Sequence, residues 1–143
     1  MISLDDINKY RFQYVMQVRY SDMDMLGHAN NAIYLTYLES ARLAYFREVN
    51  RQTWDEIALV LAHADMDFKI PLIPGIQPVV RMRTIRFGRS SMTIENIITD
   101  EGSERLFYTA STVLVAINPK TGRPVPIPDS EKQKVIAYEP ALD

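Results

Sequence analysis

The feature that most limits the fold is one long helical pattern set among strand-like segments. From Asn31 to about Val49 the apolar residues Ile33, Tyr34, Tyr37, Leu38, Ala41, Ala44 and Tyr45 recur at steps of three and four, uninterrupted by proline or glycine. This spacing predicts a helix of about five turns with one wide apolar face, ending around Asn50. Asn30 or Asn31 can supply its N-cap, because an Asn side chain accepts from the free amides of a first turn. The flanking segments Phe12–Tyr20, Leu59–Ile70, Gln77–Phe87, Ser91–Thr99 and Arg105–Ile117 read as strands. Asp100-Glu101-Gly102-Ser103 and Gly88-Arg89-Ser90 read as the tight turns between them. The tail adds a turn at Lys120-Thr121-Gly122, a proline-rich extended piece and a short C-terminal helix.

Tight turns favour antiparallel neighbours, which predicts an α+β domain with one curved sheet. The helix must bury its apolar face against that sheet. At 143 residues the chain fits a single domain, residues 1–143, with a core large enough to need no metal or disulfide staple. Ile85, Phe87, Ile97, Val113, Val115 and Ile117 suggest a second apolar sheet face, for which pairing with another copy is the economical solution.

Composition removes several function classes. A formal charge of −2 provides no general attraction to nucleic acid or an anionic membrane, and an anionic ligand must meet a local basic patch. No cysteine is present, which excludes a cysteine nucleophile and thiolate metal sites and fits a reducing compartment. The first residues, MISLDDINKYRFQ, carry acids where a signal peptide needs an apolar region. No apolar run approaches the roughly 18 residues of a membrane span. The expected location is the cytoplasm.

Polar and titratable side chains crowd the start of the helix, in Tyr20–Glu39, YSDMDMLGHANNAIYLTYLE. A helix N-terminus exposes unpaired amides and the positive end of the dipole, which can stabilise a developing oxyanion. A nearby aspartate can act as general base on water or attack a carbonyl itself. Asp22 and Asp24 both qualify by position, and Gly27 lets the loop turn tightly. Each residue also has a plainer reading: Asp22 or Asp24 as an anchor of the loop, His28 as a loop histidine, Asn31 as an N-cap. Their combination is the stronger signal.

The segment RYSDMDMLGHANNAIYLTYLESAR closely resembles the D-x-D-x-x-G-H-x-N-N-x-x-Y-x-x-Y-x-E-x-A-R motif of hotdog-fold thioesterases in the 4-hydroxybenzoyl-CoA thioesterase-like family. The resemblance resumes in DFKIPL (Asp67–Leu72), RFGRSS (Arg86–Ser91) and STVLVAINPKTGRPVPIP (Ser111–Pro128). It implies a long helix wrapped by a five-stranded antiparallel sheet, and hydrolysis of an acyl-CoA to a carboxylic acid and free CoA without metal or organic cofactor. It also implies paired subunits, a homodimer or a dimer of dimers, with residues of both around each site.

By position, the second aspartate of the motif, Asp24, is the implied catalytic carboxylate, as nucleophile or as general base. Tyr20 matches a tyrosine that assists in one branch of the family. That branch has a histidine where this chain has Asn31, whereas His28 follows the G-H-x-N-N branch. Asn31 is then expected to hold Asp24 or the lytic water, and 4-hydroxybenzoyl-CoA itself is not implied as substrate. Glu39 is a rival carboxylate that can instead pair with Arg42, three residues on. For the CoA phosphates, Arg89, Ser90 and Ser91 beside Gly88 form the best candidate, because Arg81 and Arg83 share one strand face and Arg86 the other. Met23, Met25, Tyr34 and Tyr37 are candidates to line the acyl pocket. An acyl-ACP thioesterase and a non-catalytic acyl-thioester-binding protein are the alternatives, with a dehydratase or hydratase ranked last.

Overall fold

A computed structural model describes residues 2–49, 57–102, 105–140 and 142. A 3-10 turn at Leu4–Lys9 leads into β1 (Phe12–Val15), α1 (Ile33–Val49), β2 (Ala58–Phe68), β3 (Val79–Phe87), β4 (Ser91–Thr99), β5 (Leu106–Ile117) and α2 (Asp129–Tyr138). The strands form one sheet in the order β1-β3-β4-β5-β2, antiparallel at every step. β1 and β2 are therefore opposite edges, and α1, which connects them, packs on the sheet between. This is the expected hotdog arrangement. Residue Asn50, where the helix was expected to end, and Ser103 in the β4–β5 turn lie outside the described residues. The turn closes through the Arg105 amide and guanidinium donating to the Asp100 carboxylate, at 3.2 and 3.0 Å.

The helical spacing does what it predicts. Tyr34, Tyr37, Leu38, Ala41 and Tyr45 are buried on one face of α1, packed in a common core with Val80, Met82, Ile94, Ile98, Ala110 and Leu114. Alternation along each strand sends the intervening residues to the other face. There Arg83 and Glu95 form an ion pair at 3.2 Å, and the Tyr10 hydroxyl donates to Glu95 at the same distance. Ile97 is fully buried and Ile85 nearly so. The chain thus covers part of its own outer face, where Phe87, Val113, Val115 and Ile117 remain half-buried. On β2, Val60, Leu61 and Phe68 are 38–41% exposed, and the strand has no neighbour beyond it among the described residues.

The first strand is much shorter than the expected Phe12–Tyr20. Met16 still donates to the Pro78 carbonyl at 2.8 Å, but proline has no amide to return the bond, and the ladder stops. At the other end of β1, Phe12 pairs with Met82, leaving the Thr84 amide without a strand partner. Glu139, just after α2, accepts from that amide at 2.9 Å and from the Tyr45 hydroxyl. Tyr45 also shares a 2.7 Å hydrogen bond with the Thr84 hydroxyl. A carboxylate from the tail thus finishes the sheet edge that β1 does not reach. No helix among the described residues is long and apolar enough to cross a membrane.

Candidate active site

Between β1 and α1 the chain makes a short 3-10 turn at Tyr20–Asp22 and then a closed loop. Met23 bridges to Ala29, the Asp24 amide donates to the His28 carbonyl at 2.8 Å, and the Gly27 amide donates to the Asp24 carbonyl at 3.1 Å. Gly27 has a φ of +75°, which favours glycine. The Asn30 amide returns to the Asp22 carbonyl at 3.0 Å, and the Ala29 amide reaches the Leu72 carbonyl at 2.8 Å. The loop is tied to the turn before it and to the segment after β2.

The two aspartates have different surroundings. Asp22 Oδ2 accepts from the Tyr37 hydroxyl at 2.7 Å and the Arg19 amide at 2.9 Å. Burial, reinforced by the Asp22 carboxylate, pushes the Tyr37 pKa well above its ordinary value, so the hydroxyl stays protonated as a donor. Asp24 is exposed. Its Oδ1 accepts from the Leu26 amide at 2.8 Å and the His28 amide at 3.4 Å. Among the described residues Oδ2 has no hydrogen-bond partner. One oxygen orients the carboxylate within the loop and the other is uncommitted.

Asp24, His28, Asn31 and Tyr34, four of the residues singled out from sequence, line one cavity of about 320 Å³ with Asn30 and Phe68. Asn30 caps the helix: its side chain accepts from the Ala32 amide and its carbonyl from the Ile33 amide, both at 2.9 Å. The Asn31 amide has no protein acceptor among the described residues and sits at the positive end of α1. Tyr34 stacks on Tyr108 with ring centroids 4.9 Å apart and meets Phe68 edge-on at 5.1 Å. A carboxylate with a free oxygen, a helix-terminal amide and an apolar wall can together receive an electrophilic carbonyl.

Other candidates fall elsewhere. Tyr20 is 85% exposed and does not line this cavity, because β1 has ended and the 3-10 turn carries its ring outward. Met25 is wholly exposed, Met23 packs against the core, and Tyr37 points to Asp22. Glu39 is exposed; burial lowers the Arg42 pKa and the charge of Glu39 opposes that shift. Phe68, Ile70 and Pro71 also line the cavity, outside the helix-start motif that points to the site. The DFKIPL motif, which contains all three, was the available signal.

The basic turn lies at the far end of the sheet. Phe68 pairs with Tyr108 and Tyr108 with Ile98, near the end of β4, whereas Gly88–Ser90 precedes the first residue of β4. The eight or nine residues between, at about 3.3 Å each, separate turn and cavity by roughly 25–30 Å within one chain. The turn is tight: the Gly88 amide donates to the Ser91 carbonyl at 2.9 Å, and a Cβ on Gly88 would stand 2.4 Å from Ser91 Oγ. Arg86 and Arg89 are exposed beside it, while Arg81 and Arg83 are 5% exposed.

A family profile described as the thioesterase-like superfamily matches residues 18–135. The chain is similar to a thioesterase of Thermus thermophilus solved with coenzyme A and Zn. The two are 32% identical with a TM-score of 0.81, covering 92% of this chain and 96% of that one. It is 27% identical over 113 residues to a 1,4-dihydroxy-2-naphthoyl-CoA hydrolase of Crocosphaera subtropica, covering 75% of this chain and 82% of that protein. A chloroplastic acyl-acyl carrier protein thioesterase of Arabidopsis thaliana is 26% identical over 128 residues, covering 86% of this chain and 66% of that protein.

Proposed function

The chain belongs to the thioesterase-like superfamily and is a thioester hydrolase, and we propose that its substrate is an acyl-CoA cleaved at the Asp24 cavity. The observation that carries this reading is that Asp24, with one oxygen engaged in the loop and the other without a hydrogen bond among the described residues, lines the same cavity as Asn31 at the helix terminus. As general base, Asp24 takes a proton from water, whose oxygen bonds to the thioester carbonyl carbon. The Asn31 amide polarises the carbonyl oxygen and the Asn31 side chain holds the water. The C–S bond then breaks, and the CoA sulfur leaves with the proton that Asp24 took. As nucleophile, Asp24 bonds to the carbonyl carbon, the C–S bond breaks and CoA leaves as its thiolate. Water then cleaves the resulting anhydride, releasing the acid and the Asp24 carboxylate, and a proton from that water goes to the thiolate. Both routes use the same free oxygen. His28 and Tyr34 shape the cavity around the acyl carbon, and Tyr20 has no assigned role.

Coenzyme A as carrier is supported by the Thermus relative solved with it and by the naphthoyl-CoA hydrolase relative. The phosphates require cations, and reach decides which copy supplies them. If β2 pairs antiparallel with β2 of a second copy, its C-terminal end lies beside the start of the partner strand. The partner's basic turn then stands about three strand spacings away, roughly 14 Å, half the distance to the chain's own turn. Arg89, Ser90 and Ser91 therefore bind the phosphates of the substrate held by the other protomer of a homodimer. The exposed apolar edge on β2 supports this pairing.

The Arabidopsis relative favours one second reading, an acyl-acyl carrier protein substrate. A free-thiol assay over an acyl-CoA panel decides, repeated with the same acyl groups on carrier protein and on N-acetylcysteamine. The reading predicts the highest kcat/KM for CoA. Faster turnover of the carrier-protein ester would replace it, and absence of thiol from every ester would overturn it.

A further inference from the structure

We infer that Tyr37 and Asp22 are a positioning pair for the hydrolysis, fixing where the Asp24 carboxylate stands relative to the start of α1. The inference rests on Asp24 being the reacting carboxylate. The loop has little packing of its own: Asp24 to Gly27 are all exposed, with Leu26 at 78%. The bonds of Asp24 Oδ1 to the Leu26 and His28 amides lie inside the loop. They set the direction of the carboxylate within the loop, not the place of the loop on the helix. That place depends on ties made at its ends. Asp22 gathers three of them: the Arg19 amide, the Asn30 amide on its carbonyl, and the Tyr37 hydroxyl. Tyr37 is only 3% exposed and held in the core of α1. Its hydroxyl reaches from the rigid helix to the residue two positions before Asp24.

The pair faces a second cavity, of about 330 Å³, shared with Gln17, Thr36 and Ser40. Losing one partner leaves the other open to water rather than stranded, so the fold survives and the effect falls on geometry. Displacements of about 1 Å in a reacting group cost up to about 10²-fold in rate.

Tyr37→Phe is expected to lower kcat for a good acyl-CoA about tenfold, with KM changed by no more than about twofold. Asp22→Ala should behave alike, and combining the two should cost no more than either alone. Asp22→Asn keeps an acceptor oxygen for both donors and should retain most of the activity. Amide hydrogen exchange at Leu26 and Asn30 should quicken in Tyr37→Phe and Asp22→Ala but not in Asp22→Asn. Unchanged exchange, or faster exchange with unchanged kcat, overturns the pair; so does a loss confined to KM. If the wild-type protein released no thiol from acyl-CoA, the substrate reading would fail, and unchanged exchange alone would still sink the positioning tie.

Discussion

Two tyrosines of helix α1, eight residues apart, donate to carboxylates outside the helix, and the two contacts are finished differently. Near its start, Tyr37 donates to a half-buried Asp22 beside a cavity, and the adjoining loop leaves one oxygen of Asp24 uncommitted. Further along, Tyr45 donates to Glu139 with both side chains buried, and the Thr84 amide joins them. Among the described residues the second oxygen of Glu139 has no hydrogen bond. Burial raises the Glu139 pKa above its ordinary value, against the pull of Tyr45 and Thr84. The same pair of residue types thus serves two ends. Closed over by the core, the carboxylate anchors the tail; left open at a helix N-terminus, its neighbour is available for chemistry.

The largest expected effect lies at the open end. Asp24→Asn should lower kcat by about 10²–10⁴-fold, the usual worth of a general base, while thermal stability changes little because Asp24 is exposed. Asp22→Asn should cost far less. Equal losses from both would mean that the loop, not Asp24, is being measured. The closed end should respond in stability instead. Tyr45→Phe removes a buried donor to a carboxylate and is expected to cost about 1.5–3 kcal/mol in denaturant unfolding. Tyr37→Phe, whose partner can be wetted, should cost less than about 1 kcal/mol. Similar stability losses would erase the distinction between the two contacts.

The smallest effect is a pH dependence. A carboxylate whose folded pKa is raised binds its proton more tightly in the folded state than in the unfolded one. Its adverse contribution is absent below the ordinary carboxylate pKa. It grows as pH rises through the interval up to the raised value and is constant above it. Glu139→Gln should therefore gain stability relative to wild type as pH climbs from about 4 toward neutrality. A difference that does not vary with pH would show that Glu139 ionises as freely in the fold as outside it.

Much of this was legible in the residues. Unbroken three- and four-residue spacing located α1, and Ser91–Thr99 was bounded correctly because turn residues flank it on both sides. The end of β1 was not visible, since it depends on Pro78, which comes opposite the strand only through the sheet order. The same is true of Tyr20, whose outward position follows from that early end. Asp24, His28, Asn31 and Tyr34 stand close in sequence, and local geometry brings them to one cavity. Phe68 arrives from β2 by topology. Glu139 lay in a tail with no distinguishing pattern, and its burial follows from the Thr84 amide and the Tyr45 hydroxyl that donate to it. Arg89 was chosen for its chemistry, but its distance from Asp24 could not be read before the strand register was known.

The central claim is that one acyl-CoA site joins Asp24 of one protomer to the Arg89 turn of another. The direct measurement is kcat/KM at low acyl-CoA after subunits of Asp24→Asn and Arg89→Ala have been mixed and exchanged in equal amounts. Half of the dimers are then mixed, and each has one site with both residues intact, so activity should rise to about a quarter of wild type. Activity no higher than the average of the two separate variants would contradict the account, because Arg89 would then serve its own chain or none.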